Sequence, residues 1–220
     1  MEFTVLFCKQ QLLKIMLLCP KVANRRIEAD STNANEENTP RQNTVISNAT
    51  FIADSGVGDQ AIRIRGKADY TIVNSILFDR SGGTPCLRID GTDTLSRAAN
   101  ASLDEAGPVQ FDSFVLDCAT DFRDSSGGVT AAAIQSRYEA GTNNNANFTN
   151  TLTMTFLNGA NETAVPVFDP TALSSFFVVP AEIGAVYAAN ADWVESWTCN
   201  SATVNFDADV SACTSLPVYS

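Results

Sequence analysis

The sequence predicts an all-β fold: a single-stranded parallel β-helix, forming a short solenoid, with an irregular C-terminal cap. Three observations carry that expectation. An apolar phrase occurs twice, as NTVISNATFIA at 43–53 and TIVNSILFD at 71–79, and aligning Asn48 with Asn74 gives a step of 26 residues. A shorter run, Ile62-Arg63-Ile64, returns as Leu87-Arg88-Ile89 after 25 residues. Turn clusters at 54–59, 66–69 and 81–85 separate the runs, rich in the Gly, Asp, Ser and Pro that end strands. Two strands and two turns in so short a period leave no room for a helical crossover and match one coil of stacked parallel strands.

Residues 1–42 differ from the rest and are expected to lie outside the fold, as a disordered or degenerate signal and linker segment. Lys9 and Lys14 interrupt the apolar character, so no membrane-spanning run forms. Lys14 followed by Ile15–Leu18 makes a very short secretion-signal pattern, and Cys19 stands where a lipoprotein cysteine would. A mis-assigned start or the remnant of a longer parent fits the segment better. Residues 28–42 are polar and turn-rich, as a linker would be.

Residues 43–157 form the expected coils. Val45, Ser47, Ala49 and Phe51 alternate with Ile46, Asn48, Thr50 and Ile52, the period of a strand. A third copy, VQFDSFVLDC at 109–118, places Asp112-Ser113 in the slot of Asn74-Ser75 at a step of 38. The longer step comes from residues 91–108, which read as a loop on one face, where binding usually resides. VTAAAIQ at 129–135 reads as that coil's shorter run, while AAAIQSRYEA serves equally as a short helix. NNNANFTN at 143–150 is a loop, and LTMTFL at 152–157 resumes alternation.

Residues 158–220 are expected to cap the solenoid. Pro166 and Pro170 interrupt any strand pattern, and Asp169-Pro170 opens a helical turn with aspartate as cap. FFVVPAEIGAVY at 176–187, with Trp193 and Trp197, is the most aromatic stretch, suited to covering an open solenoid end.

Composition bounds the chemistry. With 220 residues, 45% apolar and 18% charged, the chain suffices for one well-filled core. A formal net charge of −11, from 25 acidic and 14 basic residues, argues against nucleic acid as a partner. Histidine is absent, which excludes Ser-His-Asp and Cys-His catalysis, histidine zinc sites and histidine pH switches. Six cysteines form no C-x-x-C pair. Cys199 and Cys213 enclose a polar segment, where a disulfide would stabilise by roughly 3 kcal/mol. Cys86 and Cys118 are either a second bridge or two buried thiols. Disulfides place a chain in the periplasm, at the cell surface or outside.

The repeats, with Ile183-Gly184-Ala185-Val186 a few residues before Trp193 and Trp197, make residues 43–220 resemble a group of bacterial surface or secreted right-handed β-helix proteins, many of them uncharacterised. The resemblance implies a right-handed coil and an extracellular or outer-membrane location, sometimes by lipid attachment. The chain departs from that group in having few coils and no convincing signal peptide.

Candidate chemistry is thin. A glycoside hydrolase wants two carboxylates beside a groove, and Asp90 with Asp93, or Asp112 with Asp117, are the nearest candidates, each also an ordinary turn or strand-end residue. A lyase wants a basic residue beside calcium-binding acids. Arg63, Arg65 and Arg88 form a short basic row, although they also read as exposed positions alternating with Ile62, Ile64, Leu87 and Ile89. Asp117, Asp121 and Asp124 give a weak calcium pattern without a twelve-residue loop. Trp193 and Trp197 read as packing residues rather than sugar platforms. Asn-x-Ser/Thr triplets at Asn48, Asn100, Asn147 and Asn161 matter only in a eukaryotic secretory chain. The expected protein is therefore a non-enzymatic surface or secreted one, structural, adhesive or glycan-binding, with a polysaccharide or another surface protein as partner. A carbohydrate-active enzyme, or the relic of one, is the alternative.

Overall fold

The computed structural model describes residues 15–18, 25–31, 35–38, 42–53, 60–103, 105–125, 127–188, 198–200 and 212–215. The doubled phrase is realised as parallel pairing. Strands β1 (Ile15–Leu18), β2 (Ile27–Ala29), β3 (Asn43–Ser47), β4 (Ala49–Ala53), β5 (Ile62–Ile64), β6 (Asp69–Asp79), β7 (Leu87–Ile89) and β8 (Gln110–Asp117) form two sheets. The first has β6 at its centre. β3 and β4 lie along one edge of β6, β8 along the other, and β1 joins β4. The second sheet runs β2-β5-β7.

The 26- and 25-residue steps are pairing registers: Ile46 lies opposite Ile72, Phe51 opposite Leu77, and Arg63 opposite Arg88. The third copy is shifted from its expected place. Val73 pairs with Asp112 and Ser75 with Phe114, so Ser113, not Asp112, stands beside Asn74.

The expected all-β solenoid is corrected. Parallel strands in two separate sheets are accompanied by helices α1 (Thr92–Ser96), between β7 and β8, and α2 (Ala131–Glu139) and α3 (Ala160–Thr163), after β8, and the sheets are not stacked as the coils of a single-stranded β-helix. Where the solenoid needs a shorter strand at 129–135, the chain forms α2. Alanine is the best helix former, and Thr130 caps the helix by accepting from Ala133 N at 3.2 Å. Within residues 1–42, expected to lie outside the fold, two described strands pair into the sheets. β1 pairs with β4, and β2 adds its buried Ile27 and Ala29 to the second sheet.

Alternate residues of the first sheet fill two cores. Phe51, Leu77 and Leu116 face the interior with Ile62, Ile64, Leu87 and Ile89 of the second sheet and with Ile134 and Tyr138 of α2. Ile52, Ile76, Phe78 and Val115 form the other core with Phe148, Phe156, Ile183, Ala185 and Val186. Strands covered on both faces read as continuous apolar runs, and all five residues of β4 are buried.

A file of left-handed residues at Asn48 (φ 60°), Asn74 (φ 49°) and Ser113 (φ 49°) bends the first sheet and holds the C-terminal segment. Asn48 Nδ2 donates to Glu182 O at 2.8 Å, Asn74 exchanges two bonds with the Phe168 backbone, and Ser113 Oγ donates to Pro166 O at 2.7 Å. Gly184 (φ 75°) permits the closest approach, for a Cβ there would stand 2.6 Å from Ile76 Cδ1. Thus residues 166–186 lie across a sheet face. Trp193 and Trp197, expected in a cap over an open end, lie outside the described residues, as does Cys19. Among the described residues, no helix is long and apolar enough to cross a membrane.

Candidate functional site

The basic row exists, and its charges are compensated within the protein. In-register pairing sets Glu28, Arg63 and Arg88 side by side across the second sheet. Asp90 joins the two arginines: Arg63 Nε donates to its Oδ2 at 2.7 Å and Arg88 Nε to its Oδ1 at 2.6 Å. Burial alone would raise the Asp90 carboxyl, but the hydrogen bonds from Arg88 and Arg63 outweigh it and hold the group below the usual carboxylate range. Arg65 pairs with Asp30 at 2.7 Å. A cleft of about 340 Å³ beside this row is lined by Arg65, Lys67, Asp90 and Asp93. Its charges also pair locally, Lys67 with Glu37 and Asp93, and Arg97 with Glu37, Asp93 and Glu105. The Arg97 hydrogen bond lowers the Asp93 carboxyl.

The proposed catalytic and calcium-binding acids tie down backbone. Asp112 Oδ1 accepts from Thr142 N at 2.8 Å, Asp117 Oδ2 from Asn150 N at 2.9 Å, and Asp124 Oδ1 from Ala131 N at 2.7 Å. Asp121 Oδ2 accepts from Asn147 N at 2.8 Å, and burial pushes its carboxyl up. Glu162, which nothing in the sequence singles out, is fully buried and accepts from Thr151 N and Gly159 N. Carboxylates so engaged orient loops.

Cys86 and Cys118 form a disulfide with Cα atoms 5.7 Å apart. They lie within 4.8 Å of an Asp121 oxygen, but sulfurs bonded to one another are not thiolate ligands. Cys199 is disulfide-bonded, and neighbouring Asn200 bridges to Ala212; the Cys213 side chain lies outside the described residues. Of the Asn-x-Ser/Thr asparagines, Asn48 is buried, whereas Asn100, Asn147 and Asn161 are exposed.

One concave site carries amides instead of charges. Residues 142–148 run beside β8, with Ser113 N donating to Thr142 O, Leu116 N to Asn145 O and Phe148 N to Leu116 O. Asn143 (φ 55°) and Asn147 (φ 56°) take left-handed conformations, which asparagine tolerates better than most residues. Asn144 is structural: its Nδ2 donates to Phe111 O and Tyr138 O, and its Oδ1 accepts from Phe114 N. Between this segment and residues 161–166 opens a groove of about 600 Å³, with Asn145, Asn147, Thr149 and Asn161 among its lining and Phe148 and Val165 beneath. No charged side chain lines it. In the sequence NNNANFTN reads as a loop; its signal is the density of asparagine, which gives no geometry until the β8 pairing is known. No protein-family model, no curated protein and no solved structure matches the chain.

Proposed function

We propose that the chain is a non-catalytic binding or adhesive protein of the cell surface or extracellular space, whose partner is a polysaccharide or another surface protein. The observation that carries the reading is the use made of its ionisable groups. Asp90, Asp112, Asp117, Asp121 and Asp124 accept hydrogen bonds from backbone or arginine, and Arg63 and Arg88 converge on Asp90. A general acid or base must meet substrate with its own proton or lone pair available. The Cys86–Cys118 disulfide supports an oxidising compartment. Incubation of the purified chain with neutral and acidic polysaccharides, with and without calcium, tests the proposal. Retention on a polysaccharide or surface-protein ligand with no unsaturated product and no new reducing end is expected. Turnover of any substrate overturns it.

A further inference from the structure

We propose that the groove between residues 143–149 and 161–166 is a binding site for a neutral saccharide. The inference rests on the reading of the protein as a binding module and assigns its ligand class. The volume, about 600 Å³, lies within the ~300–1,000 Å³ of small-ligand clefts. The amides of Asn145 and Asn147 and the hydroxyl of Thr149 have no partner within the protein among the described residues, and all three residues are exposed. An amide offers two donors and an acceptor, and a hydroxyl one donor and two acceptors, which together match the mixed donor and acceptor character of sugar hydroxyls.

The groove is held in place beforehand. The backbone N–H of Asn147 is fixed by buried Asp121 and that of Asn150 by Asp117, so ordering the loop costs little on binding. Phe148, only 7% exposed and held in the second core, makes the base of the groove firm and contributes a small apolar edge to it. Charge decides the class. The lining carries none, and a chain of net charge −11 disfavours an acidic glycan where no cation receives it.

The test uses the whole chain and two variants. Asn145→Ala removes an exposed amide, and Asn147→Gly removes another while keeping the left-handed backbone. Gluco-, manno- and xylo-oligosaccharides are titrated by calorimetry and by amide NMR, with an oligogalacturonate and an asparagine-rich peptide as the other arms. A neutral oligosaccharide is expected to bind, to shift the resonances of residues 143–149 and 161–166, and to lose about tenfold in affinity in each variant. The site is overturned if neutral sugars bind the variants as well as the parent, or if none binds at about 10 mM. Binding of only the acidic or only the peptide arm also overturns it, and leaves the non-catalytic reading standing. Turnover of an oligosaccharide would overturn that reading instead, wherever the sugar bound.

Discussion

Asn74 shows what a single side chain does at the bend of the central strand. Its left-handed backbone (φ 49°) is one that asparagine and glycine accept, and its amide donates to Phe168 O at 3.0 Å and accepts from Phe168 N at 2.7 Å. Asn74→Ala loses these bonds, with the longer one to Ser47 Oγ, and adds backbone strain, whereas Asn74→Gly loses the bonds and adds only the smaller entropic cost of glycine. Denaturant unfolding should therefore rank parent, glycine and alanine in that order, the last two separated by about 1 kcal/mol. Equal stability of the two variants would show that the conformation is not a constraint. Asp90 gives a second case. Its removal in Asp90→Ala takes a shared acceptor from Arg63 and Arg88, which stay side by side, with Glu28 at 3.7 Å from Arg63. A loss of about 1–2 kcal/mol is expected, partly restored in about 0.5 M salt, which screens the two guanidinium groups. A salt-independent loss would trace the effect to packing. The alignment of Asn48 with Asn74 was legible because both copies share length and turn chemistry. The third copy was not. Asp112 resembles asparagine, but a slip of one residue exchanges the faces of a strand, and Ser113 holds the place.

At the scale of elements, the Cys86–Cys118 bridge links the residue before β7 to the residue after β8 across 32 positions. Closing a loop of that size in the unfolded chain stabilises the fold by about 3–4 kcal/mol on the chain-entropy model. The pair Cys86→Ala and Cys118→Ala should lower the melting temperature by roughly 2–4 °C per kcal/mol. An unchanged midpoint would mean that the unfolded chain is already compact there. Strands β3 to β8 were legible from repeated apolar runs, and α2 was open between two readings because alanine satisfies a narrow core and a helix alike. What decided it was the capping oxygen of Thr130 and the aromatic cluster that Tyr138 completes, with Phe122 at 5.3 Å and Phe111 at 5.9 Å. The cap is local, but the cluster is not visible until β8 and the 118–122 turn are brought together. The amide groove was illegible for the same reason, since its walls come from segments joined only by the folded sheet.

For the whole molecule, period and pairing register were legible, but a fixed step does not say whether stacked strands close into coils or part into two sheets accompanied by helices. Charge does carry to this scale, and it governs the response to acid. Asp90 and Asp93 have carboxyls lowered in the fold, so their stabilisation is complete above the unfolded value near 3.9 and is lost as pH falls through the folded values. Asp121 has the opposite sign. Burial raises its carboxyl, so its stabilisation is complete below about 3.9 and is lost as pH rises through the folded value. Self-repulsion from the net charge of −11 adds to that loss towards neutrality, and it vanishes near the isoelectric point of about 4.3. Stability is thus expected to fall in acid, as Asp90 and Asp93 take up protons, and to fall again towards neutrality, as Asp121 ionises and the net negative charge grows. In about 0.5 M salt the neutral side should flatten as the repulsion is screened. Asp121→Asn should flatten it further, because an amide oxygen still accepts from Asn147 N at 2.8 Å without ionising. Denaturant midpoints measured from about pH 3 to 8 for parent and variant decide the matter. If the variant keeps the parent's full slope above the unfolded carboxylate value of about 3.9 in high salt, the buried Asp121 carboxylate is not its source.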